Sequence, residues 1–228
     1  MEAGIPVIAV DGPSGTGKGT LCQRLAETLG WHLLDSGAIY RVLAHAALVR
    51  GLDLDDVTAL AAAARTLGLD FHSGDNDGIR VMLDGEDVTR AIRTEAAGNA
   101  ASIVAAIPAV RAALLERQRA CRRAPGLVAD GRDMGTVVFP DAQLKVFLTA
   151  SAEERARRRY NQLKGKGTGV SLPALLKDIT ERDERDRARS VSPLVPAPDA
   201  RVVDTTQMGI DAVFDMVVGM VRERGLSR

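Results

Sequence analysis

A glycine-rich segment near the start of the chain constrains the fold more than any other feature. Gly12 is followed, after four residues, by Gly17 and Lys18. The segment consists of Gly12, Pro13, Ser14, Gly15, Thr16, Gly17, Lys18, Gly19 and Thr20. A short apolar run at 7–10 precedes it and apolar residues four positions apart follow it, which predicts the order strand, loop, helix. In that order, backbone N–H groups of the loop can cradle phosphate oxygens at the positive end of the helix.

The end of this loop carries two further chemical groups. Lys18 can reach the β- and γ-phosphates of a nucleotide, and a hydroxyl group after it can approach Mg²⁺. Gly19 stands where Ser or Thr is usual, so Thr20 supplies the hydroxyl one position later. This G-K-G-T variant resembles nucleoside monophosphate kinases, such as adenylate kinase, more than GTPases or motor ATPases. The alternative is a glycine-rich turn without function, which the flanking strand and helix disfavour.

The rest of the chain alternates between apolar β-forming runs and helical patterns. We predict strands at 7–10, 31–34, 127–129, 144–148 and 201–204, and helices at 20–29, 39–50, 57–67, 95–107, 109–122, 152–163, 172–189 and 210–224. This alternation indicates an α/β fold of the P-loop NTPase type, a mostly parallel sheet with helices on both faces. Short runs at 70–88 predict a small antiparallel sheet within an inserted region. We assign the core to 1–38, 108–154 and 172–228, the inserted region to 39–107 and a short glycine-containing lid to 155–171.

Composition excludes several classes of function. The chain has 30 basic and 30 acidic residues and only 3% aromatic residues, so we expect neither nucleic-acid binding nor attraction to anionic membranes. No stretch approaches 18 consecutive apolar residues and no signal peptide pattern is evident. Cys22 and Cys121 match no metal or redox spacing. We therefore expect a cytoplasmic protein with reduced cysteines. The balanced charge and the lack of coiled-coil heptads permit the monomer that we expect, and they leave the oligomeric state open.

A kinase whose acceptor is itself phosphorylated needs a second anion site, and arginine suits it because its guanidinium is bidentate and always charged. Arg41 and Arg132 each lie near the end of a predicted strand. Asp130 also ends a strand and could hold a Mg²⁺-bound water, although a turn or capping role is the alternative. A predicted helix carries Arg182, Asp186 and Arg189 on one face, and a basic run from Arg155 leads into the lid. For these helices, a solvated face with weak ion pairs is the alternative.

Four segments together resemble one family. The runs at 11–20, 34–41, 130–140 and 181–183 are similar to those of bacterial cytidylate kinase, and the resemblance covers nearly the whole chain. It implies a transferase that moves the γ-phosphoryl group of ATP to CMP or dCMP, which gives ADP and CDP or dCDP, with Mg²⁺ as cofactor. It also implies that the inserted region binds CMP. The small molecules CMP and dCMP are the expected partners.

The same resemblance implies a role for each matching residue. Residues 12–20 would hold ATP, and Thr20 and Asp130 would hold the metal. The acceptor set is Ser36, Arg41, Ser102, Arg111, Arg132, Asp133, Arg182, Asp186 and Arg189. In that set, the CMP phosphate would be bound by Arg41 and Arg132, with Ser36. The cytosine would be bound by Ser102, Arg111 and Asp133. The ribose would be approached by Arg182 and Asp186, with Arg189 near the acceptor. The residues that act on the transferring group are Lys18, Arg132, Arg182, Arg157 and Arg158, of which Arg157 and Arg158 close from the lid.

The chemistry of cytosine agrees with these roles, because a carboxylate at Asp133 can accept from the exocyclic amine, which uracil lacks. No general base is expected, since the acceptor phosphate oxygen is already ionised, and His32, His45 and His72 are interpreted as structural. Two other functions remain open at this point. One is a P-loop kinase for AMP, UMP or a small metabolite. The other is a nucleotide-dependent switch or binding module that hydrolyses ATP slowly.

Overall fold

The computed structural model of the chain describes residues 4–73, 79–164 and 170–226. Contacts divide the chain into two compact units, one made of Met1–Asp35 and Gln118–Arg228 and the other of Ser36–Arg117. We call them the first and the second unit. Residues 165–169, which include the glycines predicted for the lid, and residues 74–78 lie outside the described residues.

Within residues 4–73, 79–164 and 170–226, eight strands and eight α-helices follow one another. The strands are β1 (Val7–Asp11), β2 (His32–Asp35), β3 (Leu69–Ser73), β4 (Ile79–Leu83), β5 (Glu86–Asp87), β6 (Leu127–Gly131), β7 (Leu144–Thr149) and β8 (Arg201–Asp204) among the described residues. The helices are α1 (Lys18–Leu29), α2 (Ser36–Val49), α3 (Val57–Arg65), α4 (Glu95–Val104), α5 (Pro108–Arg119), α6 (Ala152–Lys164), α7 (Leu172–Arg187) and α8 (Ile210–Glu223). The predicted α/β fold is confirmed.

The first unit is built on a parallel sheet of five strands in the order β2-β6-β1-β7-β8. Every residue of β1 is buried, which is typical of a parallel strand covered on both faces and explains its continuous apolar run. The register pairs Asp11 with Gly131 and Asp35 with Asp130. The segments that follow β1, β2 and β6 therefore leave the sheet at one edge, where ligands bind in folds of this type.

Two helices cover one hydrophobic cluster of the first unit. Leu21 and Leu25 of α1 and Val217 of α8 pack with the apolar side chains of β1, β6 and β7, and each is almost completely buried. Gly30 ends α1 in the left-handed conformation, and its N–H donates to Ala26 O and Glu27 O. The predicted four-residue spacing on α1 thus corresponds to the face that α1 packs against the sheet.

The second unit combines helices with a three-stranded antiparallel sheet. The sheet has the order β3-β4-β5, and β4 and β5 are joined by the two-residue turn Asp84–Gly85. Both turn residues have positive φ, 50° and 86°, as a type I′ hairpin requires. Helix α2 packs on α4, and the side chain of Thr94 caps α4 by accepting from Ala97 N. The antiparallel sheet predicted at 70–88 is confirmed.

Within residues 4–73, 79–164 and 170–226, no single helix is long and apolar enough to span a membrane, although the bent pair α4 and α5 together passes the same test of length and composition.

The buried cluster of the first unit leads to a stability prediction. Leu21→Ala should lower the free energy of unfolding by about 2–5 kcal/mol, because a fully buried leucine leaves a cavity when it is truncated. Met216→Ala on α8, where 43% of the side chain is exposed, should change it by less than about 0.5 kcal/mol. Urea unfolding of both variants measures the difference, and equal losses would contradict the assigned core.

Candidate active site

The glycine loop runs from the end of β1 to the start of α1 in the first unit. Gly12 has φ of 143°, and a Cβ atom there would lie 2.1 Å from Leu148 O. Gly17 has φ of 95° and directly precedes α1. Only glycine tolerates the close approach at position 12 and the positive φ at position 17. The loop can therefore pass close to β7 and turn its backbone toward the N-terminus of α1.

Lys18 closes over this loop. Its Nζ donates to Pro13 O at 2.7 Å, and Thr16 Oγ1 donates to the same carbonyl at 3.1 Å. Burial, and then the charge of Arg132, lowers the pKa of Lys18 to about 8. The ammonium group is thus held at the loop without a carboxylate directly bonded to it, which leaves it able to pair with an added anion.

Arg132 follows β6, and a carboxylate from α7 holds it. Its Nε donates to Asp186 Oδ2 at 3.1 Å, and Arg189 donates to the other oxygen of Asp186. Burial alone would raise the pKa of Asp186, but Arg132, Arg189 and then Arg182 outweigh burial and lower it. The charges predicted to share one helical face thus form a network around the buried Asp186, although α7 ends at Arg187 and Arg189 lies just beyond it. The solvated-face alternative is excluded for Asp186.

A second carboxylate on α7 holds an arginine under the glycine loop. Arg155 of α6 makes two hydrogen bonds to Asp183, of 3.1 and 2.5 Å, and both side chains are nearly inaccessible. Arg155 Nη1 also donates to Ser14 O at 3.1 Å, and its Cβ lies 3.1 Å from where a Cβ of Gly15 would be. Sequence reasoning grouped Arg155 with the basic run of the lid and missed its contact with the loop, because no local pattern identifies a partner 141 residues away.

The two arginines predicted to close from the lid differ in their surroundings. Arg158 donates to the carbonyl oxygen of Thr205 at 2.5 Å and to its Oγ1 at 3.2 Å. Thr205 Oγ1 lies 3.2 Å from Thr16 O, so it links the end of β8 to the glycine loop, a role that the sequence did not reveal. Arg157 is 67% exposed and pairs with Glu154.

Asp130 and Thr20 were the predicted metal ligands, and the donor set fits Mg²⁺. Asp130 lies at the carboxyl end of β6, and its Oδ2 is 3.7 Å from where a Cβ of Gly19 would be. Thr20 is exposed on the first turn of α1. A carboxylate and a hydroxyl beside a phosphate loop are the hard oxygen donors that Mg²⁺ prefers. Among the described residues, no group of three or more His, Cys, Asp or Glu side chains forms a metal cluster.

Asp133 is buried and begins a π-helical turn, Met134–Val138, that no sequence pattern predicted. The turn is tied to Asp11, whose carboxylate accepts hydrogen bonds from two of its amides. Sequence reasoning missed Asp11 as well, although its place directly before the glycine loop is visible in the sequence. Asp133 and Arg132 are thus carried by one ordered segment of the first unit.

The remaining predicted residues belong to the second unit. Ser36 begins α2 and Ser102 lies on α4, and both are buried. The guanidinium of Arg111 on α5 lies 5.5 Å from the centre of the Tyr40 ring and donates to Ala105 O at 3.2 Å. Arg41 follows Tyr40 on α2 and is partly buried. Arg111 is thus anchored to two helices, and Tyr40 is a contact that the sequence did not predict.

A glycine loop, a buried lysine and an arginine held by its own carboxylate suit an enzyme that transfers phosphoryl groups between anions. The fold and site together define a P-loop kinase. The sequence of residues 8–223 matches the family described as cytidylate kinase, and the chain belongs to that family.

Curated relatives agree with this assignment over nearly the full chain. The cytidylate kinase of Pseudomonas paraeruginosa is 59% identical over 226 residues, which cover 99% of each chain. That of Aeromonas hydrophila is 61% identical over 219 residues, which cover 96% of this chain and 95% of the relative. That of Shewanella loihica is 57% identical over 224 residues, 98% of this chain and 97% of the relative.

The pair under the loop leads to a prediction about stability. Arg155→Met should lower the free energy of unfolding by about 3–5 kcal/mol, because it leaves Asp183 buried without its main partner. Adding Asp183→Leu should recover much of that loss, since no unpaired buried charge remains. Arg157→Met on the same helix removes an exposed pair and should cost less than about 1 kcal/mol.

Urea unfolding of the single and double variants gives the coupling between the two side chains. If the losses from Arg155→Met and Asp183→Leu simply add in the double variant, the two side chains do not stabilise each other and the assigned role of the pair is wrong.

Proposed function

We propose that this protein transfers the γ-phosphoryl group of ATP to CMP and dCMP, which gives ADP and CDP or dCDP. The observation that carries the proposal is the ion pair between Arg132 and Asp186, in a chain that belongs to the cytidylate kinase family. The pair holds the guanidinium of Arg132 near enough to Lys18 for its charge to lower the pKa of Lys18. An arginine at this place can bind the phosphate of an acceptor and stabilise the charge of the transferring group.

The donor half of the reaction follows from the loop. Within residues 12–20, the backbone N–H groups of the residues other than Pro13 bind the phosphates of ATP together with the N-terminus of α1. Lys18 exchanges its bond to Pro13 O for the β- and γ-phosphate oxygens. Mg²⁺ held through Thr20 and Asp130 would neutralise charge on those phosphates. Arg158, fixed by Thr205 beside the loop, and the exposed Arg157 stabilise the charge that develops on the transferring group.

The acceptor half needs residues that hold the phosphate, sugar and base of CMP. We assign the phosphate to Arg41 and Arg132, with Ser36. We assign the base to Ser102, Arg111 and Asp133. Arg182 and Asp186 approach the ribose, and Arg189 lies next to them. An oxygen of the CMP phosphate, already ionised near pH 7, is the nucleophile, so the residues contribute positioning and charge stabilisation rather than proton transfer.

Selection of cytosine rests on Asp133. Its carboxylate accepts from the exocyclic amine of cytosine, whereas uracil would present a carbonyl oxygen to the same carboxylate. Asp133 is buried, and a polar mismatch in a buried site is costly, so discrimination against UMP can be large. The deoxyribose of dCMP leaves the contacts to phosphate and base unchanged, which supports dCMP as a second acceptor.

The direct experiment measures ADP release from ATP and Mg²⁺ with CMP, dCMP, UMP, AMP or GMP added one at a time. We expect fast turnover with CMP and dCMP and little without an acceptor. Fast turnover with another nucleotide alone would keep the kinase and reject the assignment of the base. ATP loss that does not depend on any acceptor would instead favour a nucleotide-dependent switch.

The role of Lys18 can be tested in the same assay. Lys18→Ala should reduce kcat/KM by about 100-fold or more, because a buried cation that stabilises the transition state is lost. The matched control is Lys177→Ala, which removes an exposed lysine on α7 whose side chain is 76% accessible. Circular dichroism should show both variants folded. Equal kcat/KM for wild type and Lys18→Ala would reject the assigned phosphate loop.

The lowered pKa of Lys18 predicts how ATP affinity depends on pH. Below about pH 8, Lys18 is protonated before ATP binds; above it, the bound phosphates must draw a proton onto the amine. The affinity should therefore fall as pH rises from 8 to 9.5, with a slope that approaches about tenfold per pH unit. Calorimetry at constant free Mg²⁺ measures it, and Lys18→Met should bind more weakly with a flatter slope. An unchanged slope in Lys18→Met would assign the titration to another group.

A further inference from the structure

The segment that carries Arg132 and Asp133 is an unusual piece of backbone. Val138 N donates to Asp133 O at 3.1 Å, and Phe139 N donates to Met134 O at 2.7 Å. Both bonds join residues five positions apart, which makes Met134–Val138 a single π-helical turn. Such turns are rare and occur often at functional sites, so a specific interaction is expected to hold this one in place.

The carboxylate of Asp11 provides that interaction. Its Oδ1 accepts from Met134 N and its Oδ2 from Gly135 N, both at 2.8 Å. These are the first two amides of the π-helical turn, which have no acceptor within the turn itself. A single ionised side chain from β1 therefore fixes the start of a segment 123 positions further along the chain, through two charge-assisted hydrogen bonds.

Close packing around the same two residues leaves the turn little freedom. A Cβ at Gly135 would lie 3.1 Å from Lys145 Cδ and 3.4 Å from Asp11 Oδ2. A Cβ at Gly131 would lie 2.7 Å from Met134 Cε. A methyl group at either glycine would therefore displace a flexible side chain, that of Lys145 at Gly135 and that of Met134 at Gly131. These packing contacts limit how closely the turn approaches the sheet. The hydrogen bonds to Asp11 fix which residues of the turn lie next to the end of β1.

Asp11 also directly precedes Gly12, the first residue of the glycine loop. The backbone of Asp11 therefore continues into the proposed ATP site, and its side chain is hydrogen-bonded to the proposed acceptor segment. Burial raises the pKa of Asp11 to about 7, although the amides of Gly135 and Met134 and the charge of Lys18 oppose the rise. The carboxylate is mainly ionised at pH 8, where both oxygens accept.

We propose that Asp11 is a positioning residue for the acceptor, because its carboxylate holds the turn that presents Arg132 and Asp133 to CMP. The proposal rests on the function proposed above. Asp11 touches neither nucleotide; it acts through the amides of Met134 and Gly135. Its removal should therefore weaken CMP binding and base selection while ATP binding changes little, since Arg155 and Thr205 hold the glycine loop independently, through Ser14 O and Thr16 O.

The test is Asp11→Asn, assayed with CMP, UMP and ATP at pH 8. Asparagine keeps the shape but turns one acceptor into a donor, which faces an amide N–H across a distance of 2.8 Å. We expect KM for CMP to rise roughly tenfold or more, the ratio of kcat/KM for CMP over UMP to fall, and KM for ATP to stay within about twofold. Asp215→Asn is the control. It removes the same charge at an exposed position on α8 and should change neither KM.

Gly135→Ala provides a second variant that removes no buried charge and is expected to fold. Its methyl group crowds Lys145 and Asp11, so KM for CMP should again rise more than KM for ATP. An unchanged KM for CMP in the folded variants, or equal increases for CMP and ATP, would overturn the positioning role. If the wild type itself shows no preference for CMP over UMP, the proposed function fails instead, and the two failures are thereby distinguished.

Discussion

Arginines in the interior of a protein need partners of opposite charge, and this chain meets that requirement with two buried carboxylates on one helix. Asp183 and Asp186, three positions apart on α7, hold Arg155 on one side and Arg132 on the other. An unpaired charge in such a place would cost several kcal/mol. Helix α7 therefore supports both the underside of the glycine loop and the segment after β6. Both arginines are thus paired with carboxylates from the same helix.

The parallel sheet makes this arrangement possible, because parallel strands in register end at one edge. Asp11 lies opposite Gly131, so the glycine loop after β1 and the arginine segment after β6 start side by side. Only Gly12 lets the loop pass Leu148 O at that edge. Phosphoryl transfer depends mostly on positioning and charge, and here both come from where the strands end rather than from a reactive side chain.

Most of the fold could be predicted because its signals are local. The apolar run of β1, the spacing of Leu21 and Leu25 on α1, and the Asp84–Gly85 turn are each visible within a few residues of sequence. The errors lie at helix ends. The helix predicted from position 20 begins at Lys18, directly after the glycine loop and without a side-chain cap, and that predicted from 39 begins at Ser36, directly after β2.

The sequence alone determined the P-loop fold, the phosphate loop and the family, because spacing within short segments carries that information. The roles of the individual acceptor residues stay predictions. Only the tertiary structure decided which charges are buried and what holds them: Arg155 under the loop, Asp186 between two arginines, and Asp11 on the π-helical turn. These contacts join residues that are mostly far apart in the chain, so no local pattern encodes them. They form because a buried charge or amide must find a partner wherever the fold provides one.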